Sequence, residues 1–138
     1  MDKHLKIFLF IIGMFLLLSI FSLCWTDNEN LGNGYVYYSD NKMILSSDGS
    51  YGEIPSVVLS FSYDNDFIIA EQDPLKNDPN LLLYDSEYKY LEGYNSCYYW
   101  IIIKKEKIII GPMNKNEFIK QRNKYNIPDK LILSRSRV

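Results

Sequence analysis

The feature that most constrains this chain is an uncharged, largely apolar stretch of 19 residues, positions 7–25. Lys3 and Lys6 precede it, and acidic residues begin at Asp27 directly after it. A basic start followed by an apolar run is typical of an export signal, and a helix of about 20 such residues can also span a bilayer. The order of the charges predicts a cytoplasmic N-terminus and an exported domain, anchored to a bacterial membrane and lying outside the cytoplasm.

A cysteine stands at the end of the apolar stretch. The sequence Phe21-Ser22-Leu23-Cys24 resembles the site at which bacterial lipoproteins are cleaved and acylated, although Leu23 is bulkier than usual and Phe21 replaces an aliphatic residue. Three hypotheses remain open for residues 1–24: a lipoprotein signal peptide with lipid attached to Cys24, an uncleaved helical anchor, or a signal peptide removed from a secreted protein. In the first, acyl chains hold the protein, since stable anchoring takes at least two chains or signals.

Few residues beyond this leader offer catalytic chemistry. The single histidine is His4, so the rest of the chain has no imidazole to act as a general base or metal ligand. Cys97 is interpreted as a small packing residue, because a nucleophilic thiol needs a base beside it. No glycine-rich phosphate loop and no G-x-S-x-G turn is present. We therefore expect no enzymatic activity, no catalytic residue, no metal site and no cofactor.

Charge is distributed unevenly along the chain, although the formal net charge is only −2. Residues 48–92 hold ten acids against two lysines, and residues 104–138 hold ten bases against three acids. Two interpretations stay open: the two segments face each other in the fold, or a basic face meets phosphate head groups or an acidic partner. An exported domain with an acidic pI of about 5.4 is not expected to bind nucleic acid.

Hydrophobic patterning after the leader predicts strands. Residues 26–34 are polar with two glycines, so residues 25–34 are expected to form a tether, which leaves one domain over residues 35–138. Runs rich in strand-forming residues and bounded by turns predict antiparallel strands at 35–39, 43–45, 57–63, 67–70, 97–103 and 107–110. Residues 67–70 and 97–103 are apolar on both faces, which predicts central strands. The charged residues 104–107 are expected at an exposed hairpin tip.

A helix is predicted near the C-terminus. Asn114, followed three residues later by Glu117, is typical of a helix start, and residues 115–126 carry an apolar stripe that includes Phe118, Ile119 and Arg122. Gly111-Pro112 is expected to end the preceding strand, and residues 131–133 to add a last short one. The fold class is therefore α+β: an antiparallel sheet of five to seven strands with one C-terminal helix packed on it, preceded by an N-terminal hydrophobic helix.

Residues 81–96 are harder to assign. Residues 81–92 fit either a short pair of strands or a helical turn. Tyr84, Tyr88, Tyr90 and Tyr94 form an aromatic patch in the sequence, for which packing is the first interpretation and stacking on sugar rings the second.

The C-terminal half contains a recognisable progression of short motifs. Residues 67–70 read FIIA and 99–102 read YWII, followed by Gly111-Pro112, Glu117-Phe118 and Ile127-Pro128. This order resembles a family of small uncharacterised bacterial lipoproteins, over about residues 55–133. The resemblance implies an exported domain and supplies no known activity.

These observations favour a membrane-anchored binding or accessory module of the cell envelope. Its expected partners are the membrane, through the N-terminal segment, and another envelope protein. The alternative hypothesis is an inhibitor or immunity protein that guards the envelope against a toxin or hydrolase, since the acidic segment 48–92 suits a cationic target.

Overall fold

The computed structural model describes residues 2–23, 27–49, 52–74 and 88–134, and these contain two helices and seven strands. In chain order they are α1 (Lys3–Leu23), β1 (Glu29–Gly32), β2 (Tyr35–Tyr38), β3 (Met43–Ser46), β4 (Val58–Tyr63), β5 (Phe67–Gln72), β6 (Tyr98–Ile103), β7 (Ile108–Met113) and α2 (Lys115–Lys124).

Helix α1 lies within the predicted leader. Its large apolar side chains between Leu5 and Leu18 are exposed. No helix in the described part of the chain combines the length and the hydropathy needed to cross a membrane.

The strands form two antiparallel sheets, one of three strands in the order β1-β2-β3 and one of four in the order β4-β5-β6-β7. The α+β class is confirmed, but the prediction of a single sheet is wrong. The first sheet ends at β3. Beside β3, Ile54 forms an isolated bridge with Ile44, and Pro55 follows Ile54 directly. Because proline has no backbone N–H to donate, this pairing does not continue as a further strand.

The first strand lies inside the segment predicted as a tether. Strand β1 pairs with β2, and Leu31 is fully buried among core side chains of both sheets. Asn33 and Gly34 join the two strands with positive φ angles of 53° and 83°, which is typical of tight hairpin turns. The structure therefore differs from the prediction at residues 29–34, where the chain is already part of the folded domain.

The four-stranded sheet is buried on both faces. One face packs against the three-stranded sheet, and that core contains Leu31, Tyr35, Ile44, Ile54, Val58, Ile68, Ala70, Trp100 and Ile102. The other face packs against α2 and the segment after it, and that core contains Ile69, Ile101, Ile103, Met113, Phe118, Ile127 and Leu131. The prediction that β5 and β6 are central strands is confirmed, since they occupy the two inner positions.

Strand β7 continues through Gly111-Pro112 to Met113, so the prediction that this pair ends the strand is wrong. Proline is tolerated because β7, among the described strands, lies at the edge of its sheet and pairs with β6 alone. The register shifts between Tyr99 and Ile101 of β6, and Met113 then pairs with Tyr99. The irregular end of β7 leads directly into α2.

Helix α2 begins as predicted. The Asn114 side-chain oxygen accepts a hydrogen bond of 2.9 Å from the backbone N–H of Glu117. Residues 131–133 do not form the predicted strand, because the N–H of Leu131 is bonded to the carbonyl of Pro128 in a turn. Leu131 is nevertheless buried, so this segment closes the core beside α2.

Candidate functional site

The residues first considered for function fall into three groups. Cys24 and Tyr84 lie outside the described residues, so the lipidation prediction has no structural counterpart here. Cys97 is half-buried at the start of β6. Tyr88 and Tyr90 belong to the irregular segment before β6, where residues 88–96 form neither helix nor strand.

The described tyrosines of the aromatic patch pack against the sheet. The Tyr88 ring stands edge-on to Trp100 with centroids 4.9 Å apart, and its hydroxyl donates to the carbonyl of Glu53 at 2.9 Å. Tyr90 lies beside Tyr98 and shares a hydrogen bond with the buried Gln72. Burial raises the pKa of Tyr90 to about 12. These contacts favour packing over sugar binding as the role of Tyr88 and Tyr90.

A cleft of about 690 Å³ opens on the other face of the four-stranded sheet, between the sheet, α2 and the segment that follows α2. We call it the Glu71 cleft. Its lining residues are Glu71, Tyr99, Lys115, Phe118, Ile119, Arg122, Asn123, Asp129, Leu131, Ile132 and Leu133.

Glu71 reaches this cleft because side chains alternate along β5. Ile68 and Ala70 point to the core between the sheets, whereas Ile69 and Glu71 point to the α2 face. The Glu71 side chain is buried, with 3% of the residue exposed. Its carboxylate oxygens accept hydrogen bonds from the hydroxyls of Ser60 and Tyr99, both at 3.5 Å. Good hydroxyl–carboxylate bonds are about 2.5–2.7 Å long, so these two are weak.

Aromatic and cationic side chains form the walls. The rings of Tyr99 and Phe118 stack with centroids 5.0 Å apart and planes inclined by 25°. The guanidinium of Arg122 lies 5.8 Å from the Phe118 centroid and donates to the carbonyl of Pro128 at 3.1 Å. Stacking on the ring and bonding to the backbone fix the orientation of Arg122. Lys115 is exposed at the first position of α2.

A second cavity, of about 480 Å³, surrounds Lys104 at the β6–β7 turn. The sequence predicts an exposed tip at residues 104–107, but Lys104 is buried and only the other three are exposed. Its ammonium donates to the carbonyls of Leu31 and Asp64 and lies 5.2 Å from the centroid of the Tyr63 ring. Burial lowers the pKa of Lys104. These bonds tie β1 to the β4–β5 turn, which is a structural role.

A family model described as "Protein of unknown function (DUF3997)" matches residues 32–137. The chain belongs to this family. Searches of curated proteins and of solved structures found no match. This match confirms the prediction, made from the resemblance, that the chain belongs to an uncharacterised domain family. Lipid attachment at Cys24 stays a prediction. The DUF3997 match covers every described residue that lines the Glu71 cleft.

The chemical groups of the Glu71 cleft come from the side chains that line it. The described residues contain no group of three or more histidine, cysteine, aspartate or glutamate side chains that could hold a metal ion. The cleft offers one buried carboxylate, stacked aromatic walls and two cationic groups. Of the eleven described residues that line the cleft, six are apolar or aromatic and four are charged; ligand sites usually combine apolar walls with a few placed polar groups.

Glu71 was not predicted as a site residue, and Arg122 was predicted only as part of the apolar stripe of the helix. A signal for Glu71 does exist: it follows the apolar run of residues 67–70 in a strand predicted to be buried on both faces. An acid in such a position is either paired or functional. Whether Glu71 is paired or functional depends on its contacts with Ser60 and Tyr99. These residues are 11 and 28 positions away in the sequence, so no local pattern reveals the contacts.

Proposed function

We propose that this protein is a membrane-anchored binding module of the cell envelope that binds its partner through the Glu71 cleft. The observation that carries the proposal is that Glu71, of which only 3% is exposed, lines a cleft of about 690 Å³. Ligand-binding clefts in proteins typically enclose ~300–1,000 Å³. The cleft therefore has the volume of a typical ligand site.

The environment of Glu71 supports a ligand-binding role. Burying a carboxylate is costly unless hydrogen bonds or an opposite charge compensate it. Its two hydrogen bonds are long, and among the described residues the ion pair present joins Lys130 to Asp64 instead. Groups that a fold holds at a net cost are found mainly at functional sites.

The mouth of the cleft is apolar as well as charged. Ile119 on α2 is 47% exposed, and Ile132 in the following segment is 69% exposed. Exposed apolar side chains grouped at a cleft mark interaction sites. A partner that covers Ile119 and Ile132 removes their surface from water while its polar groups reach the charged residues inside.

The N-terminal segment supports a membrane location. Twelve large apolar side chains of α1 are exposed: Leu5, Ile7, Phe8, Leu9, Phe10, Ile11, Ile12, Met14, Phe15, Leu16, Leu17 and Leu18. A surface this apolar is stable only where lipid or protein covers it. In the proposed arrangement the leader directs export, and acyl chains on Cys24 then hold the domain at the membrane, which requires no spanning helix.

Replacing Cys24 with alanine is expected to release the protein from membranes, because the acylated thiol is lost. The measurement is incorporation of a fatty-acid label together with the distribution of the protein between membrane and soluble fractions. Cys97→Ala is the matched control and is expected to keep both the label and the membrane location. Unchanged retention of unlabelled Cys24→Ala protein in the membrane would favour the helical anchor instead.

Placing acids at the cleft mouth is expected to abolish partner binding. In the double variant Ile119→Asp, Ile132→Asp, two exposed apolar contacts become charged groups that a bound partner must desolvate. Affinity purification of the full chain from detergent-solubilised envelopes is expected to recover the partner at least about tenfold less with this variant. Leu91→Asp is the control, since Leu91 is 88% exposed and lies outside the cleft.

Equal recovery by the cleft variant and the Leu91→Asp control would contradict the proposed function. The identity of the partner separates the two hypotheses for its biological role. An enzyme or toxin whose activity falls on binding makes the protein an inhibitor, whereas a partner that stays active makes it an accessory module.

A further inference from the structure

We infer that the Glu71 cleft binds a zwitterion, either an amino acid or the free end groups of a short peptide, with the ammonium on Glu71 and the carboxylate near Lys115 and Arg122. The inference rests on the proposed function and names the chemistry that the cleft recognises. It follows from the positions of the charges in the cleft and from the aromatic surface between them.

The buried end of the cleft is suited to an ammonium group. A carboxylate offers about four lone-pair positions, and the described contacts of Glu71 use two of them at 3.5 Å. An ammonium group brings three donors and the opposite charge, so it compensates the burial of Glu71 better than the two hydroxyls do. A divalent cation is a poorer match, because calcium and magnesium need more oxygen ligands than one buried carboxylate supplies.

The middle of the cleft is suited to an apolar side chain. Phe118 stacks on Tyr99, and Leu131, which belongs to the same core, also lines the cleft. Tyr99 bonds to Glu71 through its hydroxyl and stacks on Phe118, and Arg122 lies over the Phe118 ring, so the two rings stand between the buried acid and Arg122. A ligand with an aliphatic or aromatic side chain buries that group here while its charged ends stay apart.

The outer part of the cleft is suited to a carboxylate. Arg122 is held by Phe118 and the Pro128 carbonyl, and the described contacts use one of its five N–H donors. Lys115 adds a second cation on the same helix, whereas Asp129 adds an acid. Two acids and two bases line the cleft, so its formal charge is balanced. A neutral ligand with separated charges matches this arrangement better than a simple cation or anion does.

The test uses the full chain in detergent micelles and isothermal titration calorimetry with four probes. Leucine and leucyl-leucine carry both charged groups, N-acetyl-leucyl-leucine lacks the ammonium, and leucyl-leucinamide lacks the carboxylate. At least one zwitterion is expected to bind at least about tenfold more tightly than either blocked dipeptide, because charged hydrogen bonds are lost in each case. Tighter binding of leucine identifies a free amino acid, and tighter binding of leucyl-leucine identifies a peptide.

Two variants locate the ammonium. Glu71→Gln keeps the side-chain shape and is expected to weaken zwitterion binding at least about tenfold while leaving the affinity for N-acetyl-leucyl-leucine unchanged. Glu106→Gln removes an exposed acid from the β6–β7 turn and is expected to change neither. Circular dichroism of each variant verifies the fold, and the probe series on the unchanged chain is independent of both substitutions.

Two outcomes would overturn the inference: equal affinity for the acetylated and free dipeptides, or no binding of any probe. If the probes fail while the Ile119/Ile132 variant still loses its partner, the proposed binding function stands and only the ligand class is wrong. If the probes bind while that variant keeps its partner, the zwitterion site stands and the proposed function fails.

Discussion

Replacing Trp100 with alanine is expected to lower the free energy of unfolding by about 3–5 kcal/mol. Trp100 is fully buried on the central strand β6, in the core between the two sheets. Removing the indole leaves a cavity next to Ile68 and Ile102, because side chains of both sheets close around it. The loss is a large part of the roughly 5–15 kcal/mol that stabilises a typical domain.

A hydrogen bond adds to the effect of the Trp100 substitution. The indole N–H donates to the side-chain oxygen of Gln72 at 2.7 Å, and the Gln72 amide donates to the carbonyl of Ser56 at 3.0 Å. Without the indole, the buried Gln72 oxygen keeps only a 3.4 Å bond from Tyr90 among these contacts. A poorly satisfied buried acceptor costs about 1–3 kcal/mol, which places the expected loss toward the upper end of the range.

Urea unfolding followed by circular dichroism measures the Trp100→Ala change. Trp100→Phe is the matched control, since it keeps most of the ring volume and removes the N–H. It is expected to cost about 1–2 kcal/mol, mainly through Gln72. A loss below about 1 kcal/mol for Trp100→Ala would show that the ring is not in the core between the sheets.

The central part of the fold could be predicted from the sequence because its signals are local. Residues 67–70 and 98–103 are apolar on both faces, and only inner strands bury both faces. The start of α2 could also be predicted from a local signal, because Asn114 and Glu117 are three residues apart and this spacing is typical of a helix N-cap.

The division into two sheets and the position of β1 depend on contacts between distant residues. Leu31 is the single large apolar residue within residues 26–34, so no alternating pattern marks it as a strand residue. It is buried because the second sheet packs over it and Lys104, 73 residues later, bonds to its carbonyl. Local patterns contain no information about such a partner.

The Glu71 cleft was missed for a related reason. In the sequence, Glu71 is one of ten acids in residues 48–92, and nothing distinguishes it from the others. Helix periodicity predicts that Ile119 and Arg122 lie together on a packing stripe. In the structure Phe118 alone of α2 is buried, while Ile119 and Arg122 line the cleft. Whether a helical residue packs or borders a cavity depends on the segment that follows α2, whose turn at Pro128 brings Leu131 back to the sheet.

Replacing Gly111 with alanine is expected to destabilise the fold by about 2–6 kcal/mol. A Cβ atom at position 111 would lie 2.6 Å and 2.7 Å from ring carbons of Trp100 and 3.0 Å from the carbonyl oxygen of Tyr99. The ring is fully buried and cannot move aside without disturbing both sheets. The φ angle of Gly111 is +148°, which a residue with a Cβ rarely adopts, so backbone strain adds to the clash.

Gly93→Ala separates the two contributions to the Gly111 effect. Gly93 also has a positive φ, +79°, but nothing lies within 4 Å of its Cβ position. Its substitution carries backbone strain alone and is expected to cost about 1–2 kcal/mol. Because the clash exists only at position 111, Gly111→Ala should be clearly the more destabilising of the two in urea unfolding of the full chain. Equal losses would mean that Trp100 does not pack against β7, and the close contact between the edge strand and the central tryptophan would have to be abandoned.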